Sequence, residues 1–262
     1  MCQFFYVKIE NMTKNINDNY TTFAAKYDRL FDSDMYQDWL SYVTQYTTPT
    51  NVLDLGGGAG RLGVLLAEHQ YQVTVLDLSP DMLSLAQTHA SHANVDLTLL
   101  QADMREFSDW STTYPLIVSF ADALNYLPNI DDLKAALIQV FDHLTDGGMF
   151  LFDVITPYQI NVGYDNYYYN NDDDPENILM WTSFAGDEMN SVDHDLKFFV
   201  YDETIDGFKI MREIHHEQTY SLATYEQLLA KVGFQNIEVS ANFGRNDIQE
   251  DTTRWFFKAV KP

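Results

Sequence analysis

The chain has one cysteine, Cys2, few basic residues, and no apolar run longer than a single strand. A lone cysteine cannot close an intramolecular disulfide, so a disulfide scaffold is excluded and a reducing compartment is expected. No run approaches the ~20 residues that carry a helix across a bilayer, so no membrane association is expected. Met1 to Glu10 contains Phe4-Phe5-Tyr6-Val7 but neither a basic leader nor a small-residue cleavage site, which argues against a signal peptide. A cytoplasmic location follows as the expectation, with Met12 as an alternative start. Fifteen Lys and Arg face 39 Asp and Glu, a formal net charge of −24. Such a field repels polyanions, and the basic residues are scattered, so a nucleic-acid partner is disfavoured. The histidines show no metal-ligand spacing: His89 and His92 share a helix face without a third ligand nearby, and no metal is expected. A Gly-Lys-Ser/Thr phosphate loop is also missing.

What is present is a chain of 262 residues, 46% hydrophobic, enough for one sizeable domain with an elaboration. The first 18 residues read as a loose tail. Apolar and aromatic residues then recur at three- and four-residue steps over Tyr20–Leu30 and Asp34–Tyr46, which predicts two helices ended by Pro49. Strands are expected at Asn51–Leu55, Tyr71–Asp77, Val95–Leu100, Leu116–Phe120 and Gly148–Ile155. Helices are expected at Arg61–His69, from Ser79 to Ala90, and from Asp131 to Leu144. This alternation is the signature of a parallel sheet covered on both faces.

After Pro157 the rhythm breaks. Residues 158–176 are rich in Tyr, Asn and Asp, and Tyr164 to Tyr169 with the acid run after it are expected to form a mobile, solvated lid. Three strand-like runs follow, Ile178–Ala185, His194–Asp202 and Phe208–Tyr220, with Asp206-Gly207 as a hairpin signal. A helix at Thr224–Val232 and strands at Phe234–Phe243 and Thr253–Val260 complete the chain. The expected organisation is a tail over 1–18, one domain over 19–157 and 221–262, and an antiparallel β insertion over 158–220.

The strongest local signal is Val52-Leu53-Asp54-Leu55-Gly56-Gly57-Gly58-Ala59-Gly60. Glycines between a strand and a helix allow a tight turn and let a ligand reach backbone. Gly58-Ala59-Gly60-Arg61-Leu62-Gly63 satisfies the dinucleotide pattern, which keeps a nicotinamide-dependent oxidoreductase open. The rival register runs from Asp54 through Gly56 and Gly58 to Gly60 and sets a carboxylate before the turn. A pyrophosphate is repelled there, whereas a sulfonium with an amino group is attracted. Asp77 closes the second strand, where an acid accepts bonds from ribose hydroxyls.

The segments VLDLGGGAGRLGVLLA, VTVLDLSPDMLSLAQ, LLQADMREF, YPLIVSFADALNYL and GGMFLFDV, in this order, resemble the successive motifs of class I S-adenosylmethionine-dependent methyltransferases. The resemblance implies a Rossmann-like, doubly wound α/β fold with a seven-stranded sheet, its last strand antiparallel, and S-adenosyl-L-methionine as cofactor. It implies that Asp54, Gly56, Gly57 and Gly58 contact the methionine part and that Asp77 takes the ribose. Leu78 and Met82 would flank the adenine, Asp103 and Met104 hold its edge, and Phe120 with Ala121 line the methionine side. The common pattern has Cys or Ser where Gly57 stands, a departure taken as harmless. No Asn/Asp-Pro-Pro-Tyr/Phe follows strand four, which argues against methylation of nucleobase amines.

Tyr20-Thr21-Thr22-Phe23-Ala24-Ala25-Lys26-Tyr27-Asp28 resembles the aromatic leading helix of small-molecule N-methyltransferases, including those that methylate glycine and amino sugars. Tyr20 and Tyr27 are therefore candidate cofactor contacts through cation–π attraction, or members of a helix stripe packing into the core. In the insertion, alternation along Arg212 to Tyr220 sends Glu213, His215 and Glu217 to one face and Arg212, His216 and Tyr220 broadly to the other. Either histidine is a candidate base, together with Tyr20, because imidazole can take a proton near neutral pH; a solvated sheet face fits the same alternation. The expected activity is methyl transfer to nitrogen or oxygen of a small acceptor, by a monomer or homodimer. A non-catalytic cofactor-binding module of the same fold remains open.

Overall fold

The computed structural model describes residues 33–262. Tyr20, Tyr27, the tail over 1–18 and the helix expected at Tyr20–Leu30 lie outside the described residues. Helix α1 (Ser33–Tyr46) leads into β1 (Asn51–Leu55), α2 (Arg61–Glu68), β2 (Gln72–Asp77), α3 (Pro80–Ala93), β3 (Leu97–Gln101) and β4 (Tyr114–Ser119). A 3₁₀ turn (Ala123–Tyr126) precedes α4 (Ile130–His143) and β5 (Leu144–Ile155). Among the described residues, no helix is long and apolar enough to cross a membrane.

Local chemistry sets these boundaries. Ser79 caps α3 by accepting the Met82 amide, with Pro80 at the first helical position. Asn129 caps α4 through the Asp132 amide. β5 starts at Leu144 rather than Gly148, because Tyr114 pairs with Leu144 before the register slips around Gly147, whose φ is 76°.

After β5 come a π turn (Gln159–Gly163) and four antiparallel strands: β6 (Tyr168–Asn171), β7 (Asn177–Ala185), β8 (Ser191–Asp202) and β9 (Gly207–Gln218). Within the lid expected over Tyr164–Tyr169 and the acid run after it, Tyr168, Tyr169 and the acids are exposed, but Tyr164 is not solvated. Tyr164 is buried against Trp181 and His194, and Tyr168–Asn171 pairs with β7, as the strand preference of tyrosine favours. Helix α5 (Leu222–Val232), β10 (Gln235–Ser240) and β11 (Arg254–Val260) end the chain.

The main sheet has seven strands in the order β10-β11-β5-β4-β1-β2-β3, parallel from β5 to β3, with β11 antiparallel to β5. Strand alternation splits its core in two. Leu53, Ile117, Phe152 and Phe257 pack against α4 and α5 on one face. Val52, Val75, Val118 and Phe256 pack against α1 and α2 on the other. Each fully buried side chain of this size contributes about 1.5–3 kcal/mol. The fold is therefore the doubly wound α/β arrangement expected, with a separate four-stranded sheet after β5.

Two polar clusters tie the layers together. Arg254 pairs with Asp122 and lies 3.1 Å from Asp153, while Trp39 donates to Asp153 at 2.7 Å. Both carboxylates are fully buried. Buried Asn125 donates to the Gln218 carbonyl at 2.9 Å and accepts the Ile155 amide at 3.0 Å, and Thr219 donates to the Ile155 carbonyl at 2.6 Å. The four-stranded segment thus leaves and re-enters the main sheet at one clamped point.

Replacing Arg254 by Met leaves two carboxylates buried without their cation, a loss of about 3–5 kcal/mol. Urea unfolding of Arg254→Met is expected to show a midpoint lowered accordingly; an unchanged midpoint would mean that the triad carries no net stability.

Candidate functional site

Parallel strands present their C-terminal ends as one edge, and the tips of β1, β2 and β4 form the floor of a cleft. The glycine turn after β1 is sewn to the end of β2: the Gly56 amide donates to the Leu76 carbonyl at 2.8 Å. Gly56, Gly58 and Gly60 have φ of 70°, 54° and 68°, the left-handed region that glycine enters freely. This alternation follows the register that starts from Asp54. Gly63 instead lies in α2, where a Cβ would come within 2.9 Å of Val75. A Cβ on Gly57 would lie 2.6 Å from the Asp54 carboxylate and 2.9 Å from Val75. Glycine at 57, where the common pattern has Cys or Ser, thus stands where a side chain would crowd Asp54 and Val75.

Two carboxylates occupy the strand tips. Asp77 accepts the Gly58 amide through one oxygen and the Ser79 amide through the other, both at 2.8 Å. Each oxygen keeps a further lone pair. Burial pushes this carboxyl up to about 6, against the pull of the Ser79, Gly58 and Leu78 amides. Asp54 is buried, and its Oδ2 has no hydrogen-bond partner among the described residues. Burial pushes Asp54 up to about 7, and the nearby Asp77 adds to the rise. A small cleft beside Asp54 is lined, among the described residues, by Tyr36, Trp39, Asp54, Gly57, Leu62, Phe120 and Ala121.

The other expected cofactor residues are distributed around this edge. Leu78 is half exposed at the end of β2. Met82 is fully buried and packs with Ala59, Tyr164 and Trp181 under the smaller sheet. Asp103 is held by Arg105, whose guanidinium donates to both carboxylate oxygens and keeps that carboxyl below the usual range. Arg105 also reaches Asp132 at 3.2 Å. Met104 packs beside Gly56, within 3.2 Å of where its Cβ would be. Phe120 and Ala121 are buried, and Ala121 and Asp122 both adopt positive φ, 56° and 67°. Such non-glycine conformations cost of order 1–3 kcal/mol each and cluster at functional sites.

The smaller sheet separates the two histidines of the sequence reading. His215 is buried between Tyr126 at 3.3 Å and Glu213 at 3.0 Å. His216 lies on the opposite face, bonded to Asp193 at 2.7 Å. Neighbouring strand residues point to opposite faces, so the two cannot serve one pocket.

Glu213 and Glu217 share the face of His215, as alternation predicts, but sequence reasoning missed the neighbours from other strands, His194 and Trp181. Buried His194 accepts the Trp181 indole N–H at Nδ1, 3.0 Å away. Indole only donates, so the neutral imidazole carries its proton on Nε2, which lies 3.8 Å from buried Glu217. Tyr36, Trp39 and Leu62 in the cleft wall were missed as well. The three-residue spacing of Tyr36 and Trp39 reads equally as core packing, and all three side chains do belong to the core.

A family described as "Methyltransferase domain" matches residues 52–148. The YqeM protein of Bacillus subtilis, named as a methyltransferase, is 36% identical over 245 residues, covering 92% of this chain and 97% of its own. An S-adenosylmethionine-dependent methyltransferase structure from Clostridium acetobutylicum superposes with TM-score 0.80 at 26% identity, covering 93% of this chain and 99% of that one. The sugar N-methyltransferase KedS8 from Streptoalloteichus sp. shares the fold, with TM-score 0.73 at 17% identity and 99% of each chain covered.

The raised carboxyls carry a sign. Their folded pKa values exceed the ordinary 3.8, so their protonation favours the folded state; that gain is complete below about pH 4 and is lost as pH rises through 6 and 7. In the unliganded protein, Asp54→Asn is expected to raise the urea midpoint at about pH 8 and to change it little near pH 4. Equal effects at both pH values would contradict the shift.

Proposed function

The chain belongs to the S-adenosylmethionine-dependent methyltransferases, and from that premise we propose that it methylates a nitrogen or oxygen of a small molecule received under the smaller sheet. The observation that carries the cofactor side is the partnerless Asp54 oxygen in the cleft wall, next to a second carboxylate. Two buried acids suit a ligand that brings positive charge and offer nothing to a pyrophosphate. The oxidoreductase alternative falls with the family assignment.

When bound, S-adenosylmethionine supplies a methyl group on a positively charged sulfur. The chain's residues supply alignment and a dry wall. Asp54 with Gly56, Gly57 and Gly58 would hold the amino-acid end, and the free lone pairs of Asp77 would take ribose hydroxyls. Leu78 with Met82, and Asp103 with Met104, would bound the base, and Phe120 with Ala121 would shield the transfer path from water. Tyr20 and Tyr27 belong to the same reading as aromatic contacts. Orientation alone can supply about 7–11 kcal/mol of a barrier, whereas a general base supplies a factor of about 10²–10⁴. Positioning is thus the larger contribution, and the inner face of 158–220 has the smaller task of accepting a proton.

His215 is the better supported base of the two histidines, because it faces inward. His216, tied to Asp193 on the outer face, is less suited. KedS8, whose name describes a sugar N-methyltransferase, favours an amine over a hydroxyl acceptor.

Calorimetry with S-adenosylhomocysteine is expected to show no binding to Asp77→Ala and binding weakened about 10- to 100-fold by Asp77→Asn, as for loss of hydrogen bonds to a charged group. Undiminished binding to both would overturn the cofactor site. S-adenosylhomocysteine formation by the wild-type chain, assayed with pooled amines and pooled alcohols, then decides between nitrogen and oxygen.

A further inference from the structure

Two histidines face each other on the inner side of the smaller sheet, His194 in β8 and His215 in β9. Their hydrogen bonds separate their chemistry. His194 is blocked from taking up a proton at Nδ1, because the Trp181 indole N–H already points there from 3.0 Å. His215 is arranged the other way round. Its Nε2 lies 3.0 Å from the Glu213 carboxylate, which only accepts, so that nitrogen carries the proton and donates. Nδ1 is then the basic nitrogen, and the hydroxyl that donates to it from 3.3 Å belongs to Tyr126. A carboxylate that fixes the tautomer, an imidazole, and a hydroxyl in series form the arrangement by which a base activates a hydroxyl.

Place in the fold decides which of the three meets a ligand. The His215 side chain is 3% exposed, with Glu213 behind it at 15%. Tyr126 is only partly buried. It ends the 3₁₀ turn that follows Ala121 and Asp122 at the tip of β4, and it packs against the cluster that holds Ala59 and Met82. The phenol thus stands between the cofactor edge and the smaller sheet. Asn125, one residue earlier, bonds both Ile155 and Gln218, so the backbone that carries the ring is pinned.

We propose that Tyr126 is a catalytic residue of the methyl transfer, taking the acceptor's proton while its own passes to His215. This relay rests on the small-molecule methylation proposed above. As the acceptor nitrogen or oxygen bonds to the methyl carbon, the carbon–sulfur bond breaks and its electron pair stays on sulfur. The acceptor's proton moves to Tyr126 Oη, the phenol proton moves to His215 Nδ1, and the imidazolium so formed is paired with Glu213. A phenol alone keeps its proton near neutral pH, so the tyrosine needs the imidazole. The buried imidazole in turn needs the tyrosine to reach a ligand. After the product leaves, the proton returns through Tyr126 to solvent.

Tyr126→Phe keeps the ring and loses only the hydroxyl. The acceptor used is the member of the pooled amines and alcohols that yields most S-adenosylhomocysteine. With it, kcat is expected to fall about 100-fold or more, while KM and S-adenosylhomocysteine binding stay within about threefold of wild type. His215→Gln is expected to lower kcat comparably, and the double variant no further than the single ones, as for residues that act as a unit. An undiminished kcat in Tyr126→Phe, or losses that multiply in the double variant, overturns the relay. Side-chain nitrogen NMR of the complex with S-adenosylhomocysteine tests it without any acceptor. His215 is expected to carry its proton on Nε2, and a proton on Nδ1 overturns the relay. No S-adenosylhomocysteine from any acceptor refutes small-molecule methylation, and the relay with it.

Discussion

Two carboxylates, Asp54 and Asp77, lie side by side at the tips of adjacent parallel strands, and the architecture around them follows from the difficulty of keeping them there. Each is buried. Asp77 is tolerated because two backbone amides, those of Gly58 and Ser79, meet its oxygens, and this fixes both the bend after β1 and the start of α3. Among the described residues nothing meets Asp54 Oδ2, and a buried carboxylate oxygen of this kind suits a cationic partner. The carboxylate next door also demands that Gly57 have no side chain. The conformation of the turn, its glycines and the sign of its ligand are thus one constraint seen three ways.

The remaining polar groups in the core do different work. Arg254 between Asp122 and Asp153 joins the antiparallel last strand to the tip of β4, and Trp39 brings α1 into the same cluster. This cluster braces the backbone at Ala121 and Asp122, where two successive non-glycine residues hold positive φ beside the cleft. Hydrogen bonding to fixed carboxylates can outweigh a strain of a few kcal/mol. The site wall is accordingly rigid on its main-sheet side.

Much of this could be read from the chain itself. Strand-length apolar runs alternating with capped helices determine the doubly wound sheet, and β1 was delimited to the residue because Pro49 and Gly56 bound it. The glycine turn and Asp77 were legible since their chemistry is local. The inner wall of the insertion was not. Its partnerships, Trp181 with His194, His194 with Glu217 and Tyr126 with His215, join residues far apart in sequence, and no spacing rule predicts which histidine faces inward with which acid. Period-two alternation did separate His215 from His216, but the side that would be covered depended on docking against the main sheet. Arg105 went unnoticed for a simpler reason: one arginine two residues after an acid carries no signal until the loop folds it back. The tyrosine-rich stretch misled because its polar neighbours suggested solvent, while Tyr164 found an aromatic pocket.

The clamp formed by Asn125 and Thr219 at the base of the β6–β9 segment has an evolutionary implication. Ile155 and Gln218 are held within reach of one amide side chain, so the chain enters and leaves the β6–β9 segment at a single point, while the inner face of that segment packs on Ala59, Met82 and Tyr126. Recombination at that point could exchange the β6–β9 sheet and leave the strand-tip carboxylates in place, provided the new sheet brings an apolar inner face to cover Ala59 and Met82. Lineages sharing this framework can then diversify their substrates by grafting rather than by slow residue-by-residue drift.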